Sequence, residues 1–238
     1  IMSDETIRMF QSDGVCTDYM VRRDDCYGLE SIVMVNPANG SRTKFPQRDY
    51  NPPISWDDRL SDVVGGCCIL HLDGTHYENA INAARIAKEH GVLVSLDGCS
   101  MQKDNEKNKI LATMADILIM NSKYPLKVSG KATYDEALLE MSTWGSKKVV
   151  GCTLGDNGSK FVVDGKVVDF PGFESKVVVD TTGCGDVFHG AFLNVYVSGM
   201  TLEKCIRFAS AAACCKCAAP GGRAGIPSRE IVLEMIGE

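Results

Sequence analysis

Two aspartates bracket a run of small residues in Asp180-Thr181-Thr182-Gly183-Cys184-Gly185-Asp186, directly after the β-branched run Val177-Val178-Val179. The valines read as the end of a buried strand, and the apolar segment up to Ser198-Gly199 has helical character. A strand that stops at a Gly-rich turn and restarts as a helix leaves several backbone N–H groups unpaired at the helix N-terminus. Together with the helix dipole, those donors make a site for an anion, above all phosphate. Gly183 and Gly185 let a ligand reach the backbone where a side chain would hold it off. Asp186 repels phosphate, so its position makes sense if it takes a proton from the group attacking that phosphate. The competing reading is an Asp N-cap on an ordinary helix. Two acids around Thr-Thr-Gly-Cys-Gly, straight after a strand, weigh against it.

Phosphoryl transfer needs a base for the attacking hydroxyl, donors for the charged equatorial oxygens, and a metal on the nucleotide phosphates. Asp186 supplies the first, worth about 10²–10⁴-fold for a well-placed base. The amides of Gly183, Cys184 and Gly185 supply the second; loss of one preorganised donor typically costs about 10²–10³-fold.

The elements that position this turn follow from the hydrophobic pattern. Cys67-Cys68-Ile69-Leu70, Val92 to Leu96, Ile117 to Met120 and Lys148 to Thr153 read as short apolar strands. Between them lie amphipathic helices: one opened by a Thr75-x-x-Glu78 capping box and carrying Ala80, Ile81, Ala84 and Ala87, one at about 104–114, and one at 134–143. This alternation indicates βα units and a parallel sheet covered on both faces. Ligands of such sheets bind beyond the carboxyl ends of the strands. His71, Asp73, Asp97, Asn121, Thr153 and Asp186 all fall there. Short strands at 161–163 and 167–170 flank an Asp164-Gly165 turn, and helices follow at 202–217 and after the N-cap Ser228. Near the start, 1–10 reads as an amphipathic helix, and an Asn39-Gly40 turn joins strand-like runs into a hairpin at 31–45.

With 45% hydrophobic and 24% charged residues among 238, the chain is expected to form one α/β domain. A formal charge of −6, with no Lys/Arg run longer than a pair, disfavours nucleic acid and anionic membrane as partners. No apolar stretch approaches a membrane span, and no charged-then-apolar leader opens the chain. The eleven cysteines lack zinc-like spacing, so buried thiols in a reducing cytoplasm are expected.

The central run also resembles the C-terminal signature of ribokinase-like (PfkB-type) sugar kinases, Asp-Thr-x-Gly-Ala-Gly-Asp followed by a helix, with Cys184 in place of the usual Ala. The resemblance covers nearly the whole chain and is strongest from Val149 to Glu238. It implies a three-layer α/β sandwich with a small β lid, the hairpin at 31–45. It also implies an ATP-dependent transfer to a hydroxyl of a small sugar or sugar-like substrate, with Asp186 as base and Mg²⁺ on the nucleotide. Thr153-Leu154-Gly155-x-x-Gly158 looks like the nucleotide loop. Phe208 to Ala213 is similar to the helix whose Asn or Ser, here Ser210, approaches adenine. Gly221-Gly222-Arg223-Ala224-Gly225-Ile226-Pro227 matches the loop closing the nucleotide pocket. In many members that loop, with Asp180 and Thr182, also gives carbonyls to a monovalent cation such as K⁺. Asp97 is a candidate sugar contact, Asn121 a phosphate or metal contact, and pairing of lids would make a homodimer.

Two departures stand out. Where the resembling family has Asn-x-x-Glu, whose acid organises the Mg²⁺ waters, this chain reads Asn121-Ser122-Lys123-Tyr124. The family also has about sixty residues before the point matching Ile1, including a first strand and sugar contacts, so interior strands are expected to be missing. These features keep open a nucleotide- or sugar-binding relative with little turnover. A dinucleotide-binding dehydrogenase is disfavoured, because no Gly-x-Gly-x-x-Gly follows an early strand.

Overall fold

The computed structural model describes residues 2–23, 31–36, 38, 40–46, 53–175 and 177–237. Its centre is a six-stranded sheet of β3 (Ile69–Leu72), β4 (Leu93–Gly98), β5 (Ile117–Asn121), β6 (Val149–Thr153), β7 (Ser159–Val163) and β8 (Lys166–Phe170), in that spatial order. The first four strands are parallel, while β6–β7 and β7–β8 are antiparallel. The β7–β8 turn has Asp164 at φ 48° and Gly165 at φ 75°, the two left-handed residues of a tight hairpin turn.

Two-residue periodicity along β5 builds the sandwich. Leu118 and Met120 join one core with Ala80, Ala84, Ala87, Leu111, Leu138 and Met141. Those residues come from α3 (Tyr77–Glu89), α4 (Asn105–Met114) and α6 (Tyr134–Ser142). Ile117 and Ile119 face the opposite core, with Phe188, Phe192, Val195, Ile206 and Val232. That layer consists of α7 (Cys184–Val197), α8 (Leu202–Lys216) and α9 (Arg229–Ile236). Each large apolar side chain buried this way contributes about 1.5–3 kcal/mol. Gly151 in β6 makes room for one of them: a Cβ there would lie 2.3 Å from the Phe161 ring. That ring stacks on Phe192 at 6.2 Å and 8°, which seats α7 against the sheet. The result is the expected α/β three-layer sandwich.

β1 (Ser31–Val35) and β2 (Arg42–Pro46) pair antiparallel as a separate ribbon, with Ile32 opposite Phe45 and Met34 opposite Thr43. Asn39 of the expected turn lies outside the described residues. The remaining helices are α1 (Met2–Ser12), α2 (Asp58–Gly65) and α5 (Tyr124–Ser129). The hydrophobic pattern does not reveal the last two.

Several expectations are corrected. Val177, Val178 and Val179 form no strand and are 57%, 39% and 38% exposed. Their segment is held instead by the Val179 and Asp180 amides, which donate to the Cys217 carbonyl at the end of α8 (2.8 and 3.2 Å). Thr75 and Glu78 form no capping box. The Thr75 hydroxyl and amide both donate to the Asp73 carboxylate (2.7 and 2.9 Å), and α3 starts at Tyr77 without a side-chain cap. A full capping box occurs at Thr133 and Glu136, opening α6. Cys67 and Cys68 precede β3, and with Cys16 and Cys99 they are exposed rather than packed.

Candidate active site

Gly183 caps α7 at φ 82°, a conformation open to glycine at little cost. A Cβ at this position would lie 2.7 Å from the Gly222 carbonyl oxygen and 3.0 Å from its Cα. The turn therefore rests directly on the second Gly-rich loop, and both facing residues are glycine. At Gly185 an added Cβ would meet no heavy atom within 4 Å, and Gly185 and Asp186 are exposed in the first turn of α7. The turn thus presents Gly185 and the Asp186 residue to the outside, at the positive end of a 14-residue helix, whereas the Cys184 amide, expected to be a free donor, is given to the Thr181 carbonyl (3.3 Å).

Asp180 is buried and serves as a brace. Its Oδ1 accepts from the Thr182 amide and its Oδ2 from the Gly221 amide, both at 2.8 Å. Burial alone would raise this carboxyl, but hydrogen bonding from Thr182 and Gly221, with the Lys216 charge, holds it below the usual aspartate value. The Lys216 side chain is fully buried; its Nζ donates to the carbonyls of Asp180 (2.9 Å) and Ala219 (3.2 Å). The Thr182 hydroxyl is buried without a hydrogen-bond partner. The second loop is also tied to α1, through Arg223 donating to the Met9 carbonyl (3.2 Å) and pairing with Asp13.

The β1–β2 ribbon reaches this turn. Thr181 donates from its amide and hydroxyl to the Gly40 carbonyl (3.3 and 3.0 Å), and Arg42 donates to the Thr181 hydroxyl (2.8 Å). Cys184, at the start of α7, lies with its sulfur 3.1 Å from that of Cys217.

On the other side of the turn is a buried polar cluster. His189, one turn after Asp186, meets the Asp97 carboxylate at the end of β4 (Nε2 to Oδ1, 3.2 Å). Its other ring nitrogen is buried without a partner. The His71 ring lies 5.2 Å from that of His189, and its Nδ1 meets the Ser95 hydroxyl at 3.1 Å. Burial, then the charge of His189, pushes His71 below the ordinary histidine value, against the pull of Asp97, Asp73 and Asp186. Burial would raise Asp97, but the His189 hydrogen bond and charge outweigh it and lower the carboxyl. A cleft of about 460 Å³ beside this cluster is lined by Trp56, His71, Asp73 and His76.

Asn121 and Thr153 are register partners at the carboxyl ends of β5 and β6. The Asn121 side-chain oxygen caps α5, accepting from the amides of Lys123 (2.9 Å) and Tyr124 (3.1 Å). Tyr124 is 2% exposed and its hydroxyl donates to the Asn108 carbonyl (3.2 Å), so it is a core residue. Beyond Thr153 the chain folds back, with the Leu154 amide donating to the Gly158 carbonyl at 2.7 Å. Gly155 and Gly158 both take positive φ, and a Cβ on Gly158 would lie 2.1 Å from the Phe170 carbonyl oxygen. Ser210 sits half-buried in α8. The tertiary structure therefore joins the 180–186 turn to Gly221-Gly222 and to the ribbon, and sets Asn121 beside Thr153. The roles of Lys216 and Arg42, and the pairing of His189 with Asp97, have no counterpart in the sequence pattern. The only hint is a lysine inside an otherwise small and apolar helix end. Among the described residues no cluster of metal-ligating side chains occurs, and no helix is long and apolar enough to cross a membrane.

Known proteins resemble this chain in sequence and fold. The chain is 31% identical over 215 residues to a ribokinase of Arabidopsis thaliana, covering 88% of this chain and 54% of that one. It is 29% identical over 210 residues to a ribokinase of Haemophilus influenzae, covering 87% and 64%. It thus spans between half and two thirds of the length of these relatives. The solved structure of Arabidopsis thaliana ribokinase complexed with ribose and ATP superposes with a TM-score of 0.79 at 30% identity, covering 94% of this chain and 73% of that one. A putative ribokinase from Agrobacterium tumefaciens shares the fold, with a TM-score of 0.85 at 22% identity, covering 98% and 76%. Residues 2–229 match the family described as pfkB family carbohydrate kinase, and with the turn, loop and sheet described above this chain belongs to that family.

Proposed function

We propose that the protein transfers the terminal phosphoryl group of ATP to a hydroxyl of a small sugar or sugar-like substrate. The observation that carries this reading is the exposed Asp186 in the first turn of α7, beside the exposed Gly185 of the glycine turn. Asp186 takes the proton of the attacking hydroxyl as that oxygen bonds to phosphorus. The amides of Gly183 and Gly185 donate to the equatorial oxygens, whose charge is greatest in the transition state; that of Cys184 is instead given to the Thr181 carbonyl (3.3 Å). Asn121, Thr153, Gly155, Gly158, Ser210 and Gly222 surround the nucleotide. Asp97, paired with His189, is the candidate contact to the acceptor. The ribose and ATP held by the Arabidopsis thaliana relative support this pair of ligand classes.

Mg²⁺ bound to the nucleotide would offset the charge of the triphosphate. The residues at 121–124 do not fit a direct role in holding it, since the Asn121 oxygen caps a helix and Tyr124 is buried. The hairpin at 31–45 acts as a lid that excludes water, attached where Gly40 and Arg42 meet Thr181. Its exposed Ile32, Met34 and Phe45 give a face through which two copies pair as a homodimer. One α/β domain working in the cytoplasm completes the reading.

The test is ATP-dependent phosphorylation across a panel of sugars and nucleosides, with Asp186→Asn as control. Equal turnover by both proteins removes Asp186 from the mechanism. Tyr124 favours a second reading, a nucleotide- or sugar-binding relative with little turnover. That reading is supported if ATP and a sugar bind but no phosphorylated product forms.

A further inference from the structure

The cation expected beside Asp180 and Thr182 meets an occupant already in place. The whole Lys216 side chain is buried, and its ammonium donates to the main-chain carbonyls of Asp180 and Ala219 (2.9 and 3.2 Å). Those carbonyls lie on opposite sides of the site. Asp180 opens the anion turn, and Ala219 opens the loop whose Gly222 packs on Gly183. The loop also packs on the main chain of the lysine: a Cβ on Gly225 would lie 2.5 Å from the Lys216 carbonyl oxygen. Neither oxygen of the Asp180 carboxylate is idle, because the Thr182 and Gly221 amides occupy them. A second positive ion among these groups would sit against the ammonium. The residues present therefore do not fit a bound K⁺.

An ammonium and a potassium ion carry the same charge, have nearly the same size, and bind through oxygen lone pairs. A fully buried ammonium is costly unless its donors are satisfied, and here two of its three donors meet carbonyls. We infer that the Lys216 ammonium is a built-in replacement for a monovalent cation, so that ligand binding and phosphoryl transfer proceed without K⁺. Lys216 acts as a positioning residue: it touches no reacting atom and pins the two loops that together form the anion site. This inference rests on the proposed phosphoryl transfer for its activity readout only.

The experiment compares purified protein in potassium chloride and in tetramethylammonium chloride at equal ionic strength, since tetramethylammonium is too large for such a cavity. Three quantities are read: the thermal midpoint, ATP affinity by calorimetry, and turnover with the best sugar of the panel. For the natural chain all three stay the same, with ATP affinity and turnover within twofold. A well-filled K⁺ site would instead raise the midpoint by several degrees, and that shift overturns the inference whether or not the protein proves to be a kinase. Lys216→Met keeps the stem's bulk and removes the charge, while Lys216→Ala leaves a space. The alanine variant is expected to bind ATP at least tenfold more weakly in tetramethylammonium and to recover most of that loss in potassium or ammonium. The methionine variant is expected to lose as much without recovery. If both variants bind ATP as the natural chain does in either salt, Lys216 positions nothing. Should the natural chain bind ATP yet phosphorylate no sugar, the kinase reading fails while the calorimetry still decides on the cation.

Discussion

Gly183 and Gly185 flank Cys184 and resemble each other in sequence, yet the structure gives alanine at the two positions opposite consequences. At Gly183 the backbone sits at φ 82°, where an L side chain costs about 1–2 kcal/mol. The new methyl would also lie 2.7 Å from the Gly222 carbonyl oxygen and 3.0 Å from its Cα, both backbone atoms that cannot rotate away. Overpacking of this kind costs about 1–3 kcal/mol more, so Gly183→Ala should lose roughly 2–5 kcal/mol of stability. At Gly185 φ is ordinary for a helix and no atom lies within 4 Å of the new carbon. Alanine there should leave stability unchanged or raise it by up to about 1 kcal/mol through helix propensity. The exposed methyl would nevertheless stand where a phosphate must approach the amides, with turnover falling by about 10²–10³-fold, as for loss of one donor. Urea unfolding read by circular dichroism measures the first effect, and ATP turnover with the sugar panel measures the second. The reasoning is refuted if Gly183→Ala unfolds within about 0.5 kcal/mol of the natural chain, the ordinary scatter for surface changes. It is equally refuted if Gly185→Ala turns over at the natural rate.

Asp186→Asn should lower turnover by about 10²–10⁴-fold with ATP affinity little changed, as calorimetry would check. Tyr124→Phe removes one buried hydrogen bond to the Asn108 carbonyl and should cost about 0.5–1.5 kcal/mol in urea unfolding, while turnover stays as it was. The folded-state value of His71 lies below its reference of 6.5, so the folded chain binds fewer protons than the unfolded chain. The stability this provides is fully present above pH 6.5 and is lost as pH falls through the lowered value. Urea midpoints measured between about pH 7.5 and pH 5 should therefore decline, and His71→Asn should flatten that limb. Asp97 adds the same sign of loss further down, below its reference of 3.8, and Asp97→Asn should remove that part.

Much of this protein follows from short stretches of sequence read by themselves. The alternation of apolar runs and amphipathic helices set β4, β5 and β6 and the helices around them, because spacing of two or 3.6 residues decides which face each residue shows. The start of α7 at the Thr-Gly-Cys-Gly turn was equally legible, since the positive φ of Gly183 is a property of a few consecutive residues, whereas the Cys184 amide, expected to be free, is given to the Thr181 carbonyl. What depended on distant partners was not. Three valines look like a strand anywhere, but here the nearest free acceptor for their segment is the Cys217 carbonyl rather than a sheet edge, and they remain exposed. Thr75 had a glutamate at capping distance, but the loop brings its hydroxyl to Asp73 and to the distant Ser100 (2.7 and 3.5 Å). Lys216 reads as the basic end of a helix until the fold closes two loops over it. Local dihedral preferences are written residue by residue. Which buried donor meets which acceptor is fixed only when the whole chain packs, because in the interior most polar groups find a partner and few are within reach.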